Sequence, residues 1–231
     1  MIDDFFSEAV YLGVFISLGS YFLGMHIKKR LKLAIFNPLL LAIVFTIVFL
    51  LAARMPYAVY YQGAKHISYL LTPATVCLAI PLYEQIEPLK GNLKAIAAGI
   101  FTGVLTSLVC VLLLALLFGF DHQEYVTFLP KSITTAIGMG VSEELGGHVA
   151  VTVAVIIITG IMGNMLAEPV CRLFRITEPV AKGIAIGSAS HAIGTTKAME
   201  MGQLEGAMSS LSIALSGVLT VFAAMLFSRF L

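Results

Sequence analysis

KSITTAIG at 131–138 and GSASHAIG at 187–194 are one pattern written twice. At an offset of 56 positions Ser132, Ala136, Ile137 and Gly138 fall on Ser188, Ala192, Ile193 and Gly194, while Thr134 falls on Ser190 and Thr135 on His191. In the same register Glu144 meets Glu200 and Gly146 meets Gly202. Each copy is a short apolar segment carrying small hydroxyl residues, then a polar Gly-containing stretch, then a long apolar run. A repeat at fixed offset is one unit of structure used twice. In a membrane protein such a pair also points to where a substrate sits.

Composition sets the medium. Apolar residues make up 59% of the 231, charged residues 12%, and the mean hydropathy is +0.97. A soluble domain carries about twice that charge fraction, so the chain reads as one integral membrane domain. The net charge of +1 offers no basic patch for nucleic acid. The N-terminus, MIDDFFSEAV, is acidic where a signal peptide is basic, so the first apolar segment is expected to stay as a helix. Cys77, Cys110 and Cys171 are isolated in or beside apolar runs; they match no metal spacing and read as packing residues.

Against the roughly 20 residues a spanning helix needs, six apolar runs stand out: 6–26, 37–53, 66–83, 93–120, 149–171 and 207–227. Two further segments, 130–141 and 180–193, are too short to cross as regular helices. Lys28, Lys29, Arg30, Lys32, Lys90, Lys94, Arg172, Arg175 and Lys182 collect in three alternate connections, nine of the fourteen basic residues. The positive-inside rule then places both termini outside. With that count each repeat copy enters and leaves by one face, and one crossing separates them, so the copies are inverted. The fold class expected is an all-α polytopic membrane protein, with about six spanning helices plus two inverted-repeat segments, either re-entrant hairpins or crossing broken helices. Residues 1–129 read as scaffold, 130–171 as the first copy and 180–227 as the second. Gly99 and Gly103 have the small-xxx-small spacing of a close helix contact, within the domain or across a dimer.

Backbone that is not helical at membrane depth must be buried in protein or line a wet cavity. Gly138-Met139-Gly140 and Gly194-Thr195-Thr196 are the expected irregular tips. If both meet near the midplane, their amides and the hydroxyls of Ser132, Thr134, Thr135, Ser188, Ser190, Thr195 and Thr196 surround a polar pocket suited to an anion. The plainer account is that these residues only permit tight packing. His191 sits among the hydroxyls and is either a neutral packing residue or a donor and proton relay. Asn164 is a hydrogen-bonding partner for the pocket. Lys131 is either a snorkelling surface cation or a counter-charge for an entering anion. Glu144 and Glu200 lie just beyond the tips, as solvated helix ends or as proton-coupling groups. No metal spacing, phosphate loop, nucleophile elbow or His–carboxylate pair appears, so neither an enzyme nor a cofactor is expected.

LPKSITTAIG at 129–138, GSASHAIGTTKAME at 187–200, EGAMSSLSIALSGVLT at 205–220, NPLLLAI at 37–43 and LAIPLYEQ at 78–85 resemble the LrgB/CidB family of bacterial membrane proteins over essentially the whole chain. The resemblance implies residence in the bacterial cell membrane and two different roles. One is antiholin-like control of murein hydrolase activity and lysis, with a small LrgA/CidA-type holin-like partner. The other is carriage of small carboxylates such as glycolate, glycerate or pyruvate, as in the related plastid transporter. Inverted hydroxyl-lined elements favour the carrier, with Ser132, Thr134, Thr135, Gly138, Asn164, Ser188, Ser190, His191, Gly194, Thr195 and Thr196 around the solute and Lys131, Glu144 and Glu200 as candidates for anion or proton coupling. A homodimer is expected.

Overall fold

The computed structural model describes residues 11–31, 36–77 and 79–231, and these contain no strand. The acidic N-terminus and Lys32 lie outside them. The chain divides into two compact units, Met1–Cys77 and Leu78–Leu231.

The first unit holds α1 (Leu12–Leu31), α2 (Pro38–Ala52), α3 (Tyr57–Ser68) and α4 (Leu71–Cys77). Asn37 opens α2: its Oδ1 accepts from the amides of Leu39 at 2.8 Å and Leu40 at 3.3 Å, with Pro38 at the first helical position. That pairing satisfies orphan donors at the helix start. Gly13 and Gly24 on α1 lie directly against the backbones of α3 and α2, and Ser17 meets the Tyr60 hydroxyl at 2.7 Å.

The second unit runs α5 (Ala79–Glu84), α6 (Ile86–Gly91), α7 (Leu93–Phe118), α8 (His122–Phe128), α9 (Thr135–Glu144), α10 (Val149–Leu173), α11 (Pro179–Met201) and α12 (Gln203–Phe227). Among the described residues three helices are long and apolar enough to cross a membrane: α7, α10, and α12 with its terminal 3-10 turn. The expected span at 66–83 is not one helix but is shared among α3, α4 and α5. Pro73, Pro81 and Pro88 stand third in α4, α5 and α6. A proline has no N–H to give an i−4 carbonyl and costs least in a first turn, where these three stand, each starting a new helix; Pro169, inside α10, is the exception. On α7, Ile96, Ile100, Val104, Leu108, Val111 and Ala115 are buried, three or four apart and so on one face. Phe101, Leu105, Leu113 and Leu117 on the other faces are exposed.

Each repeat region folds as a hairpin of two helical arms laid along the long helix that follows it, and the first takes in α8, upstream of the expected start of its copy at 130. In the first copy Gln123 Nε2 donates to the Gly146 carbonyl at 3.0 Å, and Thr152 Oγ1 donates to the Thr127 carbonyl at 2.9 Å. Contacts on α8 and α10 therefore advance together, and the two run the same way. Ser142 meets Thr152 at 2.7 Å, whereas Gly138 lies against Ile156; as numbers fall on α9 they rise on α10, so α9 runs opposite. The second copy repeats this. Gly183 faces Glu205 and Met208, and Gly187 faces Ser209 and Ser212, which makes the first arm of α11 parallel to α12. Thr195 bonds Ser209 at 2.7 Å and Met199 covers Gly206, which makes the second arm antiparallel. The reversal falls at His191, φ 43° and ψ −143°, inside α11.

The two breaks occupy equivalent positions, with Thr134 opening α9 and His191 dividing α11. They are not at the expected tips. Gly138, Met139 and Gly140 lie within α9, and Gly194, Thr195 and Thr196 within α11. Gly138 and Gly194 serve close approach instead: Gly138 sits on Ile156 and Gly194 on Ser190, positions where a Cβ would collide.

Candidate functional site

Contacts along α10 set the level of both tips. Gly138 of the first hairpin rests on the Ile156 side chain. From the second, His191 Nε2 lies 2.9 Å from the Ile156 carbonyl oxygen. Asn164 Nδ2 donates to the Ile193 carbonyl at 2.9 Å and to Thr196 Oγ1 at 3.0 Å, and Lys197 reaches Glu168 at 2.8 Å. The second arm of α11 thus rises with α10, so α12 descends against it. The two hairpins approach from opposite ends and their breaks face each other near the middle of α10, which is the inverted arrangement read from the repeat.

The same level recurs on α7. Gly99 lies beside Ile184, Gly103 beside Ser188, and Ser107 Oγ is 3.0 Å from Ser132 Oγ. The paired serines of the repeat, Ser132 and Ser188, therefore stand one helical turn apart on α7, one from each hairpin. Gly99 and Gly103 make close contacts here, since a Cβ would fall 3.1 Å from the Ile184 side chain and 2.9 Å from Ser188 Oγ. Their small-xxx-small spacing serves this contact inside the domain.

Between α7 and the first arm of α11 runs a groove of about 1170 Å³. It begins at Asn92 and Glu178, where the two helices start, and reaches Ser107, Cys110, Lys131 and Ser132. Lys131 is half-buried there, its Nζ donating to Ser132 Oγ at 3.0 Å. Among the described residues no carboxylate pairs with it; the ion pairs are those of Lys90, Arg172 and Lys197. A half-buried ammonium beside two hydroxyls, without a counter-charge among the described residues, keeps hydrogens to donate. Lys131 follows Pro130 in the irregular break, which directs it inward rather than along a helix surface.

Other expected residues go elsewhere. His191 is buried and fixed to α10 by its Ile156 contact, with its ring in the space Gly160 leaves free. Thr195 Oγ1 donates to the His191 carbonyl at 2.9 Å. A non-Gly residue at φ 43° is held only when its surroundings over-determine it, and these bonds do so; His191 positions the second tip. Ser190 faces Gly163 and lines a separate small cavity of about 140 Å³. Asn164 ties the second arm to α10 through the Ile193 carbonyl and the Thr196 hydroxyl. Thr134 and Thr135 are half-buried at the first tip. Glu144 is exposed at the end of α9, and Glu200, also exposed, pairs with Lys197 at 3.3 Å. Neither carboxylate lies on the groove.

The resemblance is decided by comparison. The LrgB-like family model matches residues 17–230. The chain belongs to the LrgB-like family. Among relatives of this LrgB chain, the antiholin-like protein LrgB of Bacillus mycoides strain KBAB4 is 37% identical over 222 residues, 96% of each chain. Those of Bacillus cereus strain B4264 and Bacillus anthracis strain CDC 684 / NRRL 3495 are 36% identical over the same share. No solved structure matches it. Its apolar helices and its family make it a multi-pass membrane protein.

Sequence reasoning missed Ser107, Thr102 and Thr106, which bring α7 into the groove. Their signal was present as a hydroxyl and glycine stripe at three- and four-residue spacing, inside a run of otherwise uniform hydropathy.

Proposed function

We propose that this LrgB-family protein works in the bacterial cell membrane by binding small carboxylates at the meeting point of the two hairpins and passing them across. The observation that carries the reading is Lys131, a half-buried cation with no acidic partner among the described residues, beside Ser132 and Ser107 where the breaks converge. Two- and three-carbon hydroxy or keto acids match it, with one carboxylate for the ammonium and one or two oxygens for the hydroxyls. Opposed broken elements meeting at a cavity suit alternating access. The proposal includes about six crossings with both termini outside, as the basic connections suggest. It needs no catalytic step and no cofactor.

The relatives' name, antiholin-like protein, favours the second reading over transport; on the family resemblance that reading is a regulator of murein hydrolase activity and lysis acting with an LrgA/CidA-type partner. The two are compatible if lysis control follows from acid flux. A homodimer has less to stand on, because Gly99 and Gly103 are occupied within the chain.

Purified protein reconstituted in liposomes takes up labelled glycolate or pyruvate above empty liposomes, with or without the partner. Uptake at the empty-liposome level in both cases defeats the carrier reading. Uptake only with the partner present makes the chain half of a two-component carrier.

A further inference from the structure

The groove is far larger than a three-carbon acid. At ~30 Å³ of liquid per molecule its volume corresponds to roughly 40 waters, and it exceeds the usual range for small-molecule sites. Between the hydroxyls and its polar mouth at Asn92 and Glu178 the wall is apolar and mostly of small side chains, with Ala95, Ala98, Gly99, Ala181, Ile184 and Ala185 along it.

Its hydrogen-bond donors are also unevenly placed. Thr102 Oγ1 donates to the Ala98 carbonyl at 2.6 Å and Ser188 Oγ to the Ile184 carbonyl at 2.7 Å. Each hydroxyl has a single hydrogen, so at that end both oxygens offer only lone pairs. At the other end Lys131 has further ammonium hydrogens beyond the one given to Ser132. One of Ser107 and Ser132 donates to the other, leaving one hydroxyl hydrogen free. Of these groups, those with a hydrogen still free for a ligand all lie at the Lys131 end. A carboxylate accepts only, so its place is there; the remainder of the ligand meets alkyl groups and lone pairs.

We infer that the groove takes a monocarboxylate with an apolar body of more than three carbons, of the size of a branched-chain 2-hydroxy acid, seated with its carboxylate at Lys131 and its body along the alanine wall. This rests on the carboxylate-binding reading proposed for the protein and narrows its substrate class. The 2-hydroxyl of such an acid is a donor for the Ser188 lone pairs. The second carboxylate of a four-carbon diacid falls beside the Thr102 and Ser188 oxygens, whose hydrogens are already given to backbone carbonyls, so short dicarboxylates are excluded.

Cys110 is exposed on the groove wall and reports occupancy. In a Cys77→Ser, Cys171→Ser background the full chain is labelled with a maleimide in the presence of 2-hydroxypropanoate, 2-hydroxybutanoate, 2-hydroxy-4-methylpentanoate or 2-hydroxybutanedioate. The half-protecting concentration is expected to fall about three- to fourfold for each added methylene, and the diacid to give no protection. Ala185→Leu, which fills the wall, cancels the gain with length. If the three-carbon acid protects and the series is flat or reversed, or the diacid protects equally, this inference is overturned and the small-carboxylate site survives. If no acid of any length protects Cys110, both fall together.

Discussion

Replacing Lys131 with Met weakens binding of a small monocarboxylate by about 10- to 100-fold, while the variant melts no lower than the parent protein. The first half follows from the strength of hydrogen bonds to charged groups, about 1.5–3 kcal/mol each, at about 1.4 kcal/mol per decade of affinity. The second follows from the absence of a carboxylate partner among the described residues. A half-buried charge without a counter-ion costs free energy when unliganded, so an apolar side chain of similar length removes a cost rather than a stabilising bond. Lys131→Arg retains the charge in a larger planar fork and is expected to fall between the two. Equilibrium binding and thermal denaturation on the same detergent preparation check both halves. A structural lysine would show the opposite pattern, with stability lost and affinity for carboxylate unaffected.

Gly187→Leu is expected to undock the second hairpin, lowering stability by about 3 kcal/mol or more. A Cβ at Gly187 runs into the Ser209 carbonyl and falls 2.8 Å from Ser209 Cα and Ser212 Cβ. Backbone cannot yield as a flexible side chain does, so the arm of α11 must leave α12, which exceeds the usual overpacking cost of about 1–3 kcal/mol. Gly140→Ala is the control. Nothing lies within 4 Å of the new Cβ and Gly140 is interior to α9, so the helix gains about 0.5–1 kcal/mol. Were Gly140 the irregular tip that its Gly-Met-Gly setting suggests, the alanine would destabilise. Thermal denaturation of the two variants in detergent separates these outcomes.

That contrast shows how far the residues alone can be taken. The offset of 56 between Ser132 and Ser188 carried the main architecture, because two copies of one local pattern make the same local structure: arm, break, arm, long helix. The inversion followed from one crossing between them. The position of the break did not follow. Glycine ends helices when it adopts a left-handed cap, as Gly119 does at φ 68°, but it also lets helices touch, and Gly138 and Gly194 do the latter. Only the neighbours, Ile156 and Ser190, distinguish the two uses. The chain at 66–83 looked like a span because hydropathy averages over Pro73 and Pro81. His191 looked like a ligand because its neighbours in sequence are hydroxyls, yet the atom that holds it is a carbonyl of α10, 35 residues away. The isolation of Lys131 was beyond sequence altogether, since the lack of an acidic partner is a property of the residues that surround it in space.

Ser132 of the first hairpin and Ser188 of the second lie against one turn of α7, and paired cysteines test directly whether they enclose the proposed solute space. In a background with Cys77, Cys110 and Cys171 replaced by Ser, Ser107→Cys with Ser132→Cys, and separately Gly103→Cys with Ser188→Cys, are oxidised in membranes and scored for the intramolecular disulfide. Both pairs are predicted to close, since the Ser107 and Ser132 hydroxyls lie 3.0 Å apart and a Cβ built on Gly103 falls 3.2 Å from Ser188 Cβ, near disulfide separation, and a monocarboxylate is predicted to slow both closures. If either pair stays reduced in folded protein, or if the acid leaves both rates unchanged, the two hairpins do not enclose a common site.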